Sequence, residues 1–295
     1  MRAHMTGLLM VLLSTGVGAV APDHDVAFWR AIAHDHYTPP RGSDVPALAE
    51  ELTGLLSSPD PELRDEIAYS TLASWIFQQK LLDAAALRTL SARLLANMTR
   101  GIGDRDTDGV FGRSFSALVL SVIVARDNAD PCLDADDWRR IEAGALAYLA
   151  AEQDVRGYEP AKGWMHSAAH TADLLKFLGR SRHLDTAGQR RVLDAIAQKL
   201  TTASVVFTHG EDERYARAVL SLTSRNDFAD AVFTAWLQQT KPAVPEHPTV
   251  SQLRAAQNWK NLLAKLEVLL SNDPQPSDAA VAARTALRAT LKTLF

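Results

Sequence analysis

The chain has 295 residues, a length that allows one large domain or two ordinary ones and that can bury a sizeable core. Hydrophobic residues make up 47% and charged residues 22%, which excludes a disordered, collagen-like or coiled-coil chain. The formal net charge of −4 excludes the basic surface that nucleic-acid binding needs. The single cysteine, Cys132, excludes an intramolecular disulfide and a cysteine-rich zinc site. Aromatic residues are only 7%, while alanine and leucine are abundant, so the composition favours helices over sheets.

The first residues are typical of a secretory signal peptide. A short polar start is followed by the apolar run 8–13, which is too short to cross a bilayer, because a spanning helix needs about 20 apolar residues. Cleavage after Ala19 avoids placing Pro22 at the scissile bond. We predict a signal peptide over 1–19, a periplasmic or secreted mature chain, and no membrane span after cleavage. An uncleaved anchor or a buried first helix is the alternative.

Helical periodicity runs through nearly all of the remaining chain, and no stretch alternates strictly enough to predict a sheet. Asp83, Asp134 and Asp185 are spaced 51 residues apart, and each follows one apolar helix and precedes another. Aspartate is a good N-cap because its carboxylate accepts from unpaired backbone N–H groups. The repeating unit is therefore a pair of helices. In chain order the predicted pairs are 61–79 with 83–100, 111–126 with 134–153, 163–181 with 185–206, and 211–224 with 227–240.

Helix pairs repeated at this interval are the signature of α-solenoids, in which each pair buries its apolar face only by stacking on its neighbours. We predict one all-α domain over 20–295, with about twelve helices. Its expected architecture is a right-handed α-solenoid of stacked antiparallel pairs, of the HEAT or armadillo kind. Segments 24–57 and 249–294 are the expected capping pairs.

The loops that open the first helix of each pair carry the unusual residues of the chain. Equivalent positions stack in a solenoid, so we expect these residues to converge on one edge and to line a concave polar cleft. The predicted binding residues are Arg64, Asp65, Arg113, Ser114, Trp164, His166, His170, Asp173, Glu211, Asp212 and Arg214.

A possible metal site lies within this set. His166 and His170 are four residues apart, and Asp173 is three further on, so all three share a helix face. Two imidazoles and a carboxylate could bind zinc or another divalent ion, with a fourth ligand from His209, Glu211 or Asp212. The spacing is not the HExxH pattern. A polar cleft without any cofactor is therefore the favoured interpretation, and a purely structural network is the other alternative.

Five segments of the chain carry distinctive motifs: 66–69, 110–116, 154–158, 163–175 and 210–214. In this order they resemble a bacterial family known as domain of unknown function 2785. The resemblance covers about residues 50–240 and implies an all-helical protein, but it implies no established chemistry and so assigns no role to any residue. A stretch beginning at Gly163 is also similar to the Gly-Trp-x-His segment of lanthionine cyclases, which are zinc α/α barrels, but the cysteine ligands of that family have no equivalents here.

These patterns together predict an exported helical-repeat protein that binds a small molecule, peptide, glycan or protein partner in the cleft. No nucleic-acid partner is expected, and whether the protein is an enzyme stays open. The alternative is a metal-dependent hydrolase in which His166, His170 and Asp173 bind the metal. Glu211 or Glu213 would then serve as the general base.

The signal peptide predicts that the protein recovered from its native host begins near residue 20. Mass spectrometry of the N-terminal peptide measures this directly, with the precursor expressed without export machinery as the control. An intact Met1 on soluble cytoplasmic protein would contradict export.

Overall fold

Helices form almost all of the regular structure in the part of the chain that is described. The computed structural model describes residues 24–272 and 274–293, and the predicted signal peptide over 1–19 lies outside these residues. Within them are twelve helices and one two-stranded hairpin. The prediction of an all-helical protein is thereby confirmed.

The helices follow the predicted pairs closely, with one exception. The segment 163–166, predicted as the start of a helix, instead contains the second strand of the hairpin and a left-handed residue, His166. Gly163 also has a positive φ of +77°, a backbone conformation that ends regular helix. The helices are α1 (Val26–His34), α2 (Val45–Leu55), α3 (62–78), α4 (Ala84–Thr99), α5 (Gly109–Ala129), α6 (Ala135–Ala151), α7 (Ser167–Leu178), α8 (Thr186–Thr202), α9 (Glu211–Thr223), α10 (Asp230–Thr240), α11 (Val250–Ser271) and α12 (Asp278–Leu291).

Helix α3 is irregular. It combines π-helical turns over Glu62–Tyr69 and Ser74–Gln78 with an α-helical turn over Ser70–Ala73. Wide turns of this kind are frequent at functional sites, because they change which side chains face a given direction.

The three repeated aspartates cap helices as predicted. The carboxylate of Asp83 accepts from the Ala86 N–H at 2.8 Å at the start of α4, and that of Asp185 accepts from the Gly188 N–H at 2.7 Å at the start of α8. Asp134 accepts from two backbone N–H groups at the start of α6. The 51-residue spacing therefore marks equivalent points of successive helix pairs.

Helices contact one another in two rows. Each odd-numbered helix contacts the next odd-numbered one from α1 to α11, and each even-numbered helix contacts the next from α2 to α12. Ion pairs reinforce the even row, since Arg88 of α4 pairs with Asp137 of α6 at 3.0 Å and Arg191 of α8 pairs with Glu142 of α6 at 2.9 Å.

Helix α5 lies at the centre of the core. It is long and apolar enough to cross a membrane by length and composition alone, but 78% of its most apolar stretch is buried inside the protein, as is typical of a core helix. Phe111, Val119 and Ile123 have no exposed surface. Neighbouring helices α3, α4 and α7 all pack on it.

Loss of one cap should measurably destabilise the protein. We expect Asp83→Ala to lower the free energy of unfolding by about 1 kcal/mol, because the N–H of Ala86 loses its acceptor. Asp83→Asn is the matched control, since its amide oxygen keeps that acceptor. Urea unfolding measures both variants, and equal midpoints for Ala and Asn would contradict the capping role.

Candidate functional site

A groove crosses the odd-numbered helices α3, α5, α7 and α9. It has two lobes that share six lining residues and are therefore continuous: Tyr69, Leu118, His170, Asp173, Lys176 and Arg214. The polar lobe, of about 790 Å³, is further lined by Asp65, Phe115, Trp164, His166, His209, Gly210, Glu213 and Arg217. The apolar lobe, of about 780 Å³, is further lined by Ala73, Phe77, Gln78, Ser121, Val122, Ala125, Asn128, Ala129, Phe177 and Arg180.

Arg64 is buried behind the polar lobe and fixes the position of the residues at the edge of that lobe. Its Nε donates to the carboxylate of Asp65 at 2.7 Å, and its other nitrogens donate to the carbonyl oxygens of Ser58 and Lys162 at 3.0 and 2.9 Å. The guanidinium also lies 4.0 Å from the ring centroid of Phe111. Arg64 therefore joins α3 to α5 and to the loop before α7. Asp65 reaches the groove, and burial raises its pKa although Arg64 opposes the shift.

A small hairpin carries aromatic side chains to the mouth of the polar lobe. Strand β1 (Tyr158–Glu159) pairs with β2 (Gly163–Trp164), which places Tyr158 opposite Trp164. These rings lie 4.8 Å apart and are 48% and 41% exposed, respectively. The Trp164 ring also packs 4.2 Å from that of His166. An exposed aromatic surface thus borders the groove.

His166 precedes α7 in a left-handed conformation, with φ 48° and ψ 33°. Such a conformation is uncommon for a residue with a Cβ, although histidine adopts it more often than most residues. The side chain is only 6% exposed, yet its Nε2 has no hydrogen-bond partner among the described residues. The ring lines the polar lobe, so a ligand there can reach it.

The tautomer of His170 follows from its hydrogen bonds. The Ser114 hydroxyl donates to the Met165 carbonyl, so its oxygen accepts from Nδ1–H of His170 at 2.8 Å. The Nε2 of His170 consequently carries a lone pair. His170 lines both lobes, whereas Ser114 is completely buried behind them.

Both imidazoles are held neutral at pH 7. Burial, with a smaller contribution from the nearby Arg214 cation, lowers the pKa of His166 to about 4. Burial, together with His166 and Arg214, lowers the pKa of His170 well below its ordinary value. The groove therefore contains neutral imidazoles rather than imidazolium cations.

The carboxylate of Asp173 is paired with two cationic side chains. It accepts from Lys176 Nζ at 3.1 Å and from the Arg214 guanidinium. The sequence predicted Asp173 as a metal ligand with His166 and His170, but no three His, Cys, Asp or Glu side chains of the described residues form a group that could hold a metal ion. The Asp173 carboxylate is instead paired with these two cations.

The acidic start of α9 also differs from the expected arrangement. Glu211 is buried and accepts from the backbone N–H of His209 at 2.7 Å, while Asp212 accepts from the N–H of Glu213 at 2.9 Å, and neither lines the groove. Glu213 does line the polar lobe, but its ion pair with Arg217 lowers its pKa. Neither glutamate is therefore placed as a free general base.

Arg113, which the sequence predicted as a binding residue, has a structural role. Its guanidinium donates to the carboxylate of Glu152 at 2.5 Å and to the carbonyl oxygens of Gly101 and Arg100 at 3.0 and 3.2 Å. Arg113 and Glu152 are both almost wholly buried. This ion pair ties the start of α5 to the end of α6, away from the groove.

About half of the predicted binding residues therefore line the groove. Lining it are Asp65, Trp164, His166, His170, Asp173 and Arg214. Behind or beside it lie Arg64, Arg113, Ser114, Glu211 and Asp212.

Several residues that line the groove were not predicted from the sequence. Tyr69 lies four residues after Asp65, Lys176 three after Asp173, and Arg180 four after Lys176. Extending each predicted residue along its helix at intervals of three and four would have found them.

The model of a family described as proteins of unknown function, DUF2785, matches residues 98–270, which is more than half of the chain. The chain belongs to this family. The matched range includes α5, α7 and α9 but begins after α3, so Asp65 and Tyr69 lie outside it. No curated protein and no solved structure matches the chain.

The two neutral histidines predict a pH-dependent stability. Below pH 6.5 or so the unfolded chain binds protons at both side chains, whereas the folded protein does not bind one at His166 until about pH 4. Because the unfolded state then holds more protons, the free energy of unfolding falls as the pH drops. The expected slope is up to about 1.4 kcal/mol per pH unit for each histidine.

Urea unfolding between pH 7 and pH 5 measures this slope. The double variant His166→Gln, His170→Gln should show a shallower dependence than the wild type, because glutamine does not titrate. Equal slopes in the two proteins would show that these histidines are not the cause.

Proposed function

We propose that this is an exported helical-repeat protein that binds a ligand in the groove across α3, α5, α7 and α9. The observation that carries the proposal is the Nε2 atom of His166, which is buried, lines the polar lobe and lacks a partner among the described residues. A buried polar atom left unsatisfied costs about 1–3 kcal/mol. A hydrogen-bonding group on a bound ligand would remove that cost.

The backbone at the same residue supports the proposal. The left-handed conformation of His166 directs its ring between Trp164 and His170, with ring centroids 4.2 and 5.7 Å away. Strain of this kind persists only where surrounding structure imposes it, and it clusters at ligand sites.

We further propose that the two rows of helices form the right-handed solenoid of the HEAT or armadillo kind. The support is the contact of each helix with the next one of its own row and the equal spacing of the aspartate caps. In such a stack one of the two rows lines a concave surface, which is the usual binding surface of these proteins.

The size of each lobe favours a small ligand. Its lobes, of about 780 and 790 Å³, fall within the range of roughly 300–1,000 Å³ that is ordinary for small-molecule sites. A small molecule or a short stretch of a longer chain fits this space better than the flat surface of a folded partner.

The rival hypothesis, a metal-dependent hydrolase, has less support. It needs Asp173 as a ligand and Glu211 or Glu213 as a base, but each of these carboxylates is engaged by a neighbouring donor. Export has its support in the N-terminal sequence pattern alone.

A panel of probes tests whether the groove binds ligands at all. We expect at least one class among neutral oligosaccharides, short peptides and aliphatic carboxylates to shift amide signals of α5 and α7 in ¹H–¹⁵N NMR spectra of the full chain. Ala125→Trp fills the apolar lobe and should abolish binding of any probe that occupies it.

Ala147→Trp is the matched control, because Ala147 is exposed on α6 and lines neither lobe. It should bind like the wild type. The proposal fails if no probe class perturbs the groove, or if a probe that shifts amide signals of the apolar lobe binds both tryptophan variants alike.

A further inference from the structure

The apolar lobe carries a local excess of positive charge. Three cations line it, Lys176, Arg180 and Arg214, while Asp173 is its one carboxylate among the described residues, which leaves an excess of two positive charges. The chain as a whole has a net charge of −4, so the excess is not a general property of the surface. A local field of this sign attracts anions.

Arg180 is the least compensated of these cations. Its Nε donates to the Ser221 hydroxyl at 3.0 Å, and its guanidinium lies 5.5 Å from the ring centroid of Phe177. Partial burial and the neighbouring Arg217 cation lower its pKa, and no described carboxylate offsets them. Lys176 approaches the same ring at 4.4 Å, so two cations flank Phe177.

The walls of this lobe are mostly apolar. Phe77 is 42% exposed there, which is unusual for a large apolar side chain, and Leu118, Val122 and Ala125 contribute the surface of α5. Small residues such as Ala73 leave the space between these helices open. An apolar ligand body would remove this surface from water.

We infer that the apolar lobe binds a small amphipathic anion, an unbranched acyl chain ending in a carboxylate. The carboxylate would lie among Lys176, Arg180 and Arg214, and the chain would lie against Val122 and Ala125. This inference rests on the proposed binding function and names its ligand class. A free fatty acid is the intended source, and a peptide ending in an apolar residue is the competing one.

Three probes of equal chain length and different head groups test whether the apolar lobe selects an anionic head group. Dodecanoate, dodecanol and dodecyltrimethylammonium are titrated into the full chain by calorimetry, below the concentrations at which they form micelles. We expect dodecanoate to bind at least about tenfold more tightly than dodecanol, because charge-assisted hydrogen bonds to cations are the stronger kind. The ammonium probe should bind most weakly.

Shorter carboxylates test whether the acyl chain contributes to the binding affinity. Octanoate and decanoate should bind more weakly than dodecanoate, by about fourfold for each methylene removed, which is the affinity equivalent of burying one such group. An acetylated tripeptide ending in leucine is the competing ligand in the same assay.

Arg180→Gln should weaken dodecanoate binding about tenfold and leave dodecanol binding unchanged. Lys176→Gln is the second variant, in case one of the two unfolds, and thermal melting verifies that each is folded. Arg139→Gln is the matched control, because that side chain is 64% exposed on α6 and lies outside the groove. It should bind dodecanoate like the wild type.

The inference is overturned if the ammonium probe binds as tightly as dodecanoate, if neither groove variant weakens dodecanoate, or if the tripeptide binds and dodecanoate does not. The proposed function fails separately. An oligosaccharide or peptide that perturbs the groove while all acyl probes fail would leave ligand binding intact and remove only this ligand class.

Discussion

The buried guanidinium of Arg64 holds the edge of the groove together. A buried cation is tolerated only when its charge and its donors are met, and here Asp65, two carbonyl oxygens and the ring of Phe111 meet them. One of those carbonyls belongs to Lys162, 98 residues away in the chain. The contact therefore fixes Asp65 on α3 and Trp164 on the hairpin along the same edge.

The interval between repeats recurs in the long-range contacts. Ser114 donates to the carbonyl oxygen 51 residues later, and the backbone N–H of Phe207 donates to the side chain of Asn258, again 51 residues later. Arg88 reaches its acid partner 49 residues on. Bonds of nearly equal separation show that successive helix pairs contact one another. The groove crosses the odd row because α3, α5, α7 and α9 contact one another in that order.

Helices and caps could be predicted from the sequence because their signals are local, as at Asp83 and Asp185. The side of each helix that faces the groove could not be predicted from the sequence. Successive residues of an α-helix turn by about 100°, since each turn takes 3.6 residues. At the start of α9 this separates Glu211, which points inward to the backbone of His209, from Glu213, which lines the groove.

Polarity changes along the groove, and this limits how a ligand can lie in it. The charged residues that line the polar lobe balance, with three acids and three bases, and His166 and His170 are neutral there. The apolar lobe has the cation excess, because Arg180 belongs to it alone and the acids Asp65 and Glu213 belong to the polar lobe alone. An uncharged polar group of a ligand is therefore best placed beside His166, and an anionic group is best placed near Arg180. A ligand that spans both lobes would enter in one orientation, since reversing it would move its anion to the lobe without a cation excess.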